Sequence, residues 1–202
     1  MSIWAIGDVH GMTSSYEKIC RNVRKFDQNA ITFQVGDVGL GFQGVSQPHV
    51  GQNDFFIHGN HDDPKVCRQH PNFLGRYGCR EFSGLKVFWC SGALSTDRGI
   101  HKPKDWFEDE QLDYGELCEA NGLYYETKPD IVISHDCPII ARETMLGFRE
   151  GGRTAQGLQA MFDTHQPKVW AFGHHHRQKQ QQICGTTFQC VGELKWKRLA
   201  CT

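Results

Sequence analysis

The chain has 202 residues, with 22 Lys and Arg against 23 Asp and Glu and a net charge of −1 with His neutral. That balance excludes the broad basic field by which proteins hold duplex nucleic acid, so strong duplex binding is not expected. No run approaches the roughly 18 apolar residues of a membrane span, and the first residues carry neither a basic segment nor a cleavage-site pattern, so a cytoplasmic protein without a membrane partner is expected.

A chain of this size can bury roughly 70% of its unfolded surface in one core, and a single domain over 1–202 is expected. The nine cysteines are odd in number and include no Cys-x-x-Cys, which favours structural thiols over a disulfide framework. Cys137, directly after His135-Asp136, is the thiol closest in sequence to the candidate chemistry.

In chain order, a buried strand is expected at 3–6, then a helix over 13–26. Ser14-Ser15-Tyr16-Glu17 reads as its capping box, and Tyr16, Ile19, Cys20 and Val23 fall on one face. Strands are expected at 30–35 and 55–58, a hairpin over 82–90 split by Ser83-Gly84, and a helix over 109–120. Further strands fall at 131–134 and 169–172, and 180–184 and 187–191 flank Gly185-Thr186 as a last hairpin. Segments 39–53, 91–105 and 147–154 fit no regular element; loops this long and glycine-rich are usually functional, and they are expected to rim a site. The alternation predicts a layered α/β architecture without repeats or linkers.

Short motifs follow several of these strands: Gly7-Asp8-Val9-His10-Gly11, Gly36-Asp37, Gly59-Asn60-His61-Asp62, Ser134-His135-Asp136 and Gly173-His174-His175-His176. Each places oxygen or imidazole donors just past an apolar run, where ligands leave the carboxyl ends of strands for a shared crevice. Asp8 and His10, two positions apart, leave on the same side and can reach one cation. Asp37 has two oxygens and can bridge two ions. Asn60 offers a neutral oxygen, and His61 beside it points elsewhere. In an extended segment His174 and His176 share a side and His175 faces away. His49, His58, His70, His101 and His165 lack such partners and read as surface or hydrogen-bonded residues.

In this order the motifs resemble the calcineurin-like metallophosphoesterases, whose signature is Asp-x-His, Gly-Asp, Gly-Asn-His-Asp/Glu, a lone His and Gly-His-x-His. The resemblance runs from Asp8 to His176 and implies a layered β-sandwich core flanked by helices. It implies one divalent ion on Asp8, His10, Asp37 and His176, and a second on Asp37, Asn60, His135 and His174, with His61 as the acid. Mn²⁺ is the first expectation for both ions, with Fe, Zn or Ni as alternatives. The implied activity is hydrolysis of a phosphomonoester or phosphodiester, in a phosphorylated small molecule or nucleotide, by hydroxide that the ions activate. Arg98 and Arg153, both in Gly-flanked loops, are candidates for gripping phosphate oxygens. Gly92-Ala93-Leu94-Ser95-Thr96-Asp97-Arg98, with Trp106-Phe107 and Glu110, resembles a small phage and bacterial branch of the superfamily, which makes a phage origin one of the expectations.

One departure bears on substrate. The superfamily's phosphoprotein phosphatases extend the second motif to Gly-Asp-x-x-Asp-Arg-Gly; here Gly36-Asp37-Val38-Gly39-Leu40-Gly41-Phe42 puts Leu40 at the second Asp. The carboxylate that would orient His61 is missing from that position, and Asp62 or Asp97 is left to replace it. Alternatives are a Ser/Thr-type protein phosphatase, a nuclease or cyclic-nucleotide phosphodiesterase, and a catalytically silent scaffold, which is expected to lose ligands or His61.

Overall fold

A computed structural model describes residues 1–95 and 107–201. Strands β1 (Ser2–Ile6), β2 (Ile31–Gln34) and β3 (Asp54–Phe56) run parallel, and helix α1 (Thr13–Phe26) connects the first two. A short α2 (Pro64–Cys67) precedes the antiparallel hairpin of β4 (Tyr77–Phe82) and β5 (Leu85–Cys90). Then come α3 (Tyr114–Thr127), β6 (Ile131–Ser134), a one-turn α4 (Ile139–Ala141) that widens into a π-helical turn over Arg142–Leu146, and α5 (Arg153–Thr164). Strands β7 (Val169–Phe172), β8 (Lys179–Ile183), β9 (Thr186–Cys190) and β10 (Trp196–Cys201) complete the chain.

The strands form a 4-stranded sheet, β10-β1-β2-β3, and a 6-stranded sheet, β4-β5-β6-β7-β9-β8. Strand alternation decides what lies between them. Ile3, Ala5, Ile31 and Phe33 of the first sheet meet Val87, Trp89, Ile131, Ile133 and Ala171 of the second in one cluster. The alternate residues face outward onto helices. Ile6 packs with Tyr16, Ile19, Cys20 and Val23 of α1; Val132, Trp170 and Phe172 pack with Leu117 and Tyr124 of α3 and Leu158, Met161 and Phe162 of α5. The result is a β-sandwich flanked by helices, as expected. No helix among the described residues is long and apolar enough to cross a membrane.

Several local expectations change. Helix α1 has the expected bounds and buried face, but its N-cap is Met12 without a side-chain cap bond. Glu17, assigned to a capping box, accepts instead from His49 N at 2.9 Å. The helix expected over 109–120 starts later, at Tyr114, because the true capping box is Asp113 with Glu116. Segment 147–154 ends in the start of α5, and neither α5 nor β10 was expected. Loop 91–105 is described only up to Ser95, so Asp97, Arg98 and His101 lie outside the described residues, as does Trp106.

Candidate metal centre

The motifs converge where the two sheets' parallel strands end. β1, β2 and β3 deliver Asp8, Asp37 and Asn60; β6 and β7 deliver His135 and the Gly173–His176 turn. Backbone bonds fix the first two motifs to each other: Val9 N and His10 N both donate to Asp37 O at 2.8 Å, and Gly11 N donates to Val38 O at 2.8 Å. Gln34 braces the second turn by accepting from Gly36 N at 3.0 Å and donating to Gly36 O.

Three glycines that precede ligands make room for a ligand of another motif. A β-carbon on Gly59 would collide with the Asp37 carboxyl group, one on Gly36 with the His135 ring, and one on Gly173 with the Asp8 carboxyl group. At these three positions the Gly-ligand pattern is a packing requirement of one shared centre.

One donor group is Asp8, His10, Asp37 and His176, whose ligand atoms all lie within 4.8 Å of one another. His10 Nε2 is 2.9 Å from His176 Nε2, 3.9 Å from Asp8 Oδ2 and 4.0 Å from Asp37 Oδ2, and His176 Nε2 is 3.2 Å from Asp8 Oδ2. A second group gathers on the other Asp37 oxygen: His135 Nε2 is 3.3 Å from Asp37 Oδ1 and 3.0 Å from Asn60 Oδ1, with the His174 ring 5.1 Å from the His135 ring. Carboxylate, amide and imidazole donors in this density suit Mn, Fe, Zn or Ni, so the residues fit a pair of such ions.

The backbone is bent to hold these donors. His10, Asp37, His174 and His176 have φ of 47°, 58°, 64° and 51°, the left-handed region that side chains rarely adopt and that clusters at ligand clamps. The expectation of an extended Gly173–His176 segment is thereby corrected: His174 and His176 present their rings from a bent turn. His175 is no bystander there. Its Nε2 lies 3.5 Å from Asp136 Oδ1 and 3.7 Å from Cys137 Sγ. Arg142 in turn grips both Asp136 oxygens at 2.6 Å, stacks over Phe148 and donates to Glu150 O at 2.6 Å. This buried pair anchors the turn that carries two ligands. Asp136, Cys137 and His175 also form a potential ligand group. Burial pushes the Cys137 thiol well above its usual range, and Arg142 already occupies Asp136.

Electrostatics prepare the ligands. His135 Nδ1 lies 2.8 Å from Val35 O, which takes the Nδ1 proton and leaves Nε2 on the side of Asp37 and Asn60. Burial opposes charge on His135, yet the Asp37 carboxylate raises its pKa well above the ordinary value. Burial likewise opposes charge on Asp37, while His135, His61 and His10 hold its carboxyl well below the usual range. The two groups thus favour each other's charged forms, and a cation held at His135 Nε2 would take the place of a proton there. Burial lowers His174 to about 3, keeping that imidazole neutral and able to ligate.

His61 N donates to Asp37 Oδ1 at 2.8 Å, and its half-buried ring lies 5.6 Å from that of His10 and 6.4 Å from that of Phe42. Asp62 does not replace the absent carboxylate, because it accepts from Val38 N at 3.1 Å, Gly39 N at 2.7 Å, Leu40 N at 2.9 Å and Gly59 N at 2.8 Å. Leu40 itself is 1% exposed among Val38, Phe56 and Cys67, an apolar pocket for the group that stands at the phosphatase Asp position. Arg153 is not brought to the metal donors: its guanidinium bonds Leu112 O at 2.5 Å and Gln111 O at 3.4 Å. In the sequence Ser95 and Glu110 figure only in the branch resemblance, without a role. The structure ties both to Asn60: Asn60 Nδ2 donates to Ser95 Oγ at 3.1 Å, and Ser95 Oγ donates to Glu110 Oε2 at 2.6 Å. They sit in irregular loops, so no periodicity marks them.

The sequence model of the calcineurin-like phosphoesterase family matches residues 1–178. The chain belongs to that family. No curated protein sequence matches it significantly. Among solved structures it is similar to phosphopantetheinyl hydrolase from Mycobacterium tuberculosis, at TM-score 0.60 and 10% identity over 98% of this chain and 95% of that one. A 5′-nucleotidase from Candida albicans follows the same fold at TM-score 0.55 and 12% identity, over 98% of this chain and 50% of that one. A third is the Plasmodium protein GAP50, described as the anchor in the inner membrane complex, at TM-score 0.59 and 12% identity over 95% of this chain and 71% of that one. The chain also spans only 50% of a Staphylococcus aureus neighbour at TM-score 0.57 and 14% identity. At these identities the likeness is one of fold.

Proposed function

We propose that the chain is a dinuclear metal-dependent phosphoesterase. The observation that carries this is the division of Asp37: Oδ2 faces the group with Asp8, His10 and His176, while Oδ1 faces His135 beside Asn60. A carboxylate shared between two donor groups is the arrangement a bridging ligand requires. Asp8, His10, Asp37 and His176 would hold one ion and Asp37, Asn60, His135 and His174 the other, with Mn²⁺ the leading choice. Such a pair supplies positive charge to phosphoryl oxygens and lowers the pKa of a water nucleophile. His61, whose backbone amide donates to Asp37 Oδ1, would protonate the leaving oxygen.

A scaffold function, as in the Plasmodium anchor, is the rival reading; retention of the full ligand set together with His61 argues against it. The neighbours' names, 5′-nucleotidase and phosphopantetheinyl hydrolase, support a phosphorylated small molecule or nucleotide as substrate. All nine cysteines are free, which suits the reducing cytoplasm.

Substrate class follows from Leu40 and Asp62. With Leu40 in an apolar pocket and Asp62 committed to backbone amides, neither supplies the second carboxylate of the phosphoprotein-phosphatase motif. Leu40 and Gly41 stand where that motif has Asp and Arg, which weighs against a phosphopeptide substrate. Metal-stripped protein reloaded with Mn²⁺ is therefore expected to hydrolyse a nitrophenyl monoester or its bis-ester with higher kcat/KM than a phosphothreonine peptide. A peptide preference of tenfold or more, about 1.4 kcal/mol, would favour the protein-phosphatase reading; no turnover with any metal would favour the scaffold.

A further inference from the structure

Asn60 poses a problem that a carboxylate ligand does not. Its amide has an oxygen that can hold a cation and an NH₂ that cannot, and the two ends are nearly the same shape. In the structure Oδ1 lies 3.0 Å from His135 Nε2 while Nδ2 donates to Ser95 Oγ at 3.1 Å. A serine hydroxyl alone would not enforce that choice, because it can donate as well as accept. Here its hydrogen is already used. Ser95 Oγ donates to Glu110 Oε2 at 2.6 Å, and Ser95 N donates to Glu110 Oε1 at 3.1 Å. The remaining lone pairs on Oγ accept only a donor, which is the Nδ2 end of Asn60.

Burial makes the choice binding. Asn60 is 2% exposed, Ser95 5% and Glu110 0%, so bulk water is poorly placed to substitute for a misdirected partner. The loop is built for this approach. Gly92, at φ +82°, lies where a β-carbon would collide with the Glu110 carbonyl, and its amide donates to His58 O at 2.8 Å, next to the Gly59-Asn60 motif.

We infer that Glu110 and Ser95 are positioning residues that fix the orientation of the Asn60 amide and so reserve its oxygen for the second cation. The inference rests on the dinuclear reading above, and neither residue is assigned contact with substrate. It makes an unusual demand on Glu110→Gln. Glutamine has one acceptor oxygen for two Ser95 donors, and the arrangement without opposed N–H groups puts that oxygen on Ser95 N and the NH₂ on Oγ. The Ser95 hydrogen then turns to Asn60, which favours the amide rotated with NH₂ toward the cation. In Asn60→Asp the same hydrogen gains a carboxylate acceptor and nothing is misdirected.

The test is a calorimetric Mn²⁺ titration of the metal-stripped full chain as parent, Ser95→Ala, Glu110→Gln and Asn60→Asp, and as each of the first two variants combined with Asn60→Asp. Metal-free melting temperatures accompany it. With Asn60 retained, Ser95→Ala and Glu110→Gln should keep the first affinity and weaken the second by roughly 10- to 100-fold, the usual effect of a residue that orients a ligand. Combined with Asn60→Asp, neither should weaken it further. If Glu110→Gln does not fold, the Ser95→Ala pair carries the comparison. Equal losses with and without Asn60→Asp, or no loss with Asn60 retained, overturn the relay while leaving two ions in the parent. A parent that binds one ion overturns the relay and the dinuclear reading together.

Discussion

His61→Ala is expected to lower turnover of an alkyl phosphoester by roughly 10² to 10⁴, the usual contribution of a positioned proton donor, while metal content stays at the parent's level. The separation follows from the geometry. The His61 backbone amide, which the variant retains, bonds the Asp37 oxygen at 2.8 Å, whereas the ring belongs to neither donor group. The loss should shrink for a nitrophenyl ester, whose leaving group scarcely needs a proton. Loss of metal from His61→Ala, or an equal loss of rate on both esters, would show that the ring supports the ligands and does not donate the proton.

Arg142→Ala should produce the largest loss of stability. Arg142 is 2% exposed and Asp136 0%, and removing one member of a buried pair leaves an uncompensated charge, at a cost of about 3 to 5 kcal/mol. At roughly 2 to 4 °C per kcal/mol for a chain of this size, the melting temperature should fall by about 6 to 20 °C. Arg142→Lys should not restore it, because an ammonium cannot reproduce the two-oxygen grip. Burial opposes charge on Asp136, but the His175 hydrogen bond and the Arg142 charge hold its carboxyl well below the usual range. A depressed folded-state pKa contributes stability above the unfolded value of about 3.9, lost as pH falls through the folded one. Part of the parent's acid destabilisation below about pH 4 should therefore disappear in Arg142→Ala. A melting temperature within about 2 °C of the parent's, less than 1 kcal/mol at this size, would show the pair to be dispensable.

What was legible in the sequence was what is local. Each ligand motif sits within a few residues of a strand end, so order and residue type were enough to gather Asp8, Asp37, Asn60, His135 and His174 into one crevice. The α1 face was legible for the same reason, since Tyr16, Ile19, Cys20 and Val23 repeat at helical spacing. Elements whose signals depend on a distant partner were not. α5 is packed on α3 through Gly157, where a β-carbon would meet the Leu117 side chain. β10 is an edge strand defined by antiparallel pairing with β1, nearly the full chain away. The Asn60–Ser95–Glu110 chain and the Arg142–Asp136–His175 brace join separate loops, and no periodicity announces them. The bent Gly173–His176 turn could not be read from alternation, which assumes an extended backbone.

Whether Asp37 joins two cations is tested most directly by elemental analysis of fully reloaded, desalted protein. The parent should hold two divalent ions per chain, and Asp37→Ala, lacking the oxygens that face both donor groups, should hold well under one. Saturation of the parent at a single ion, or two ions retained in Asp37→Ala, would contradict the dinuclear centre.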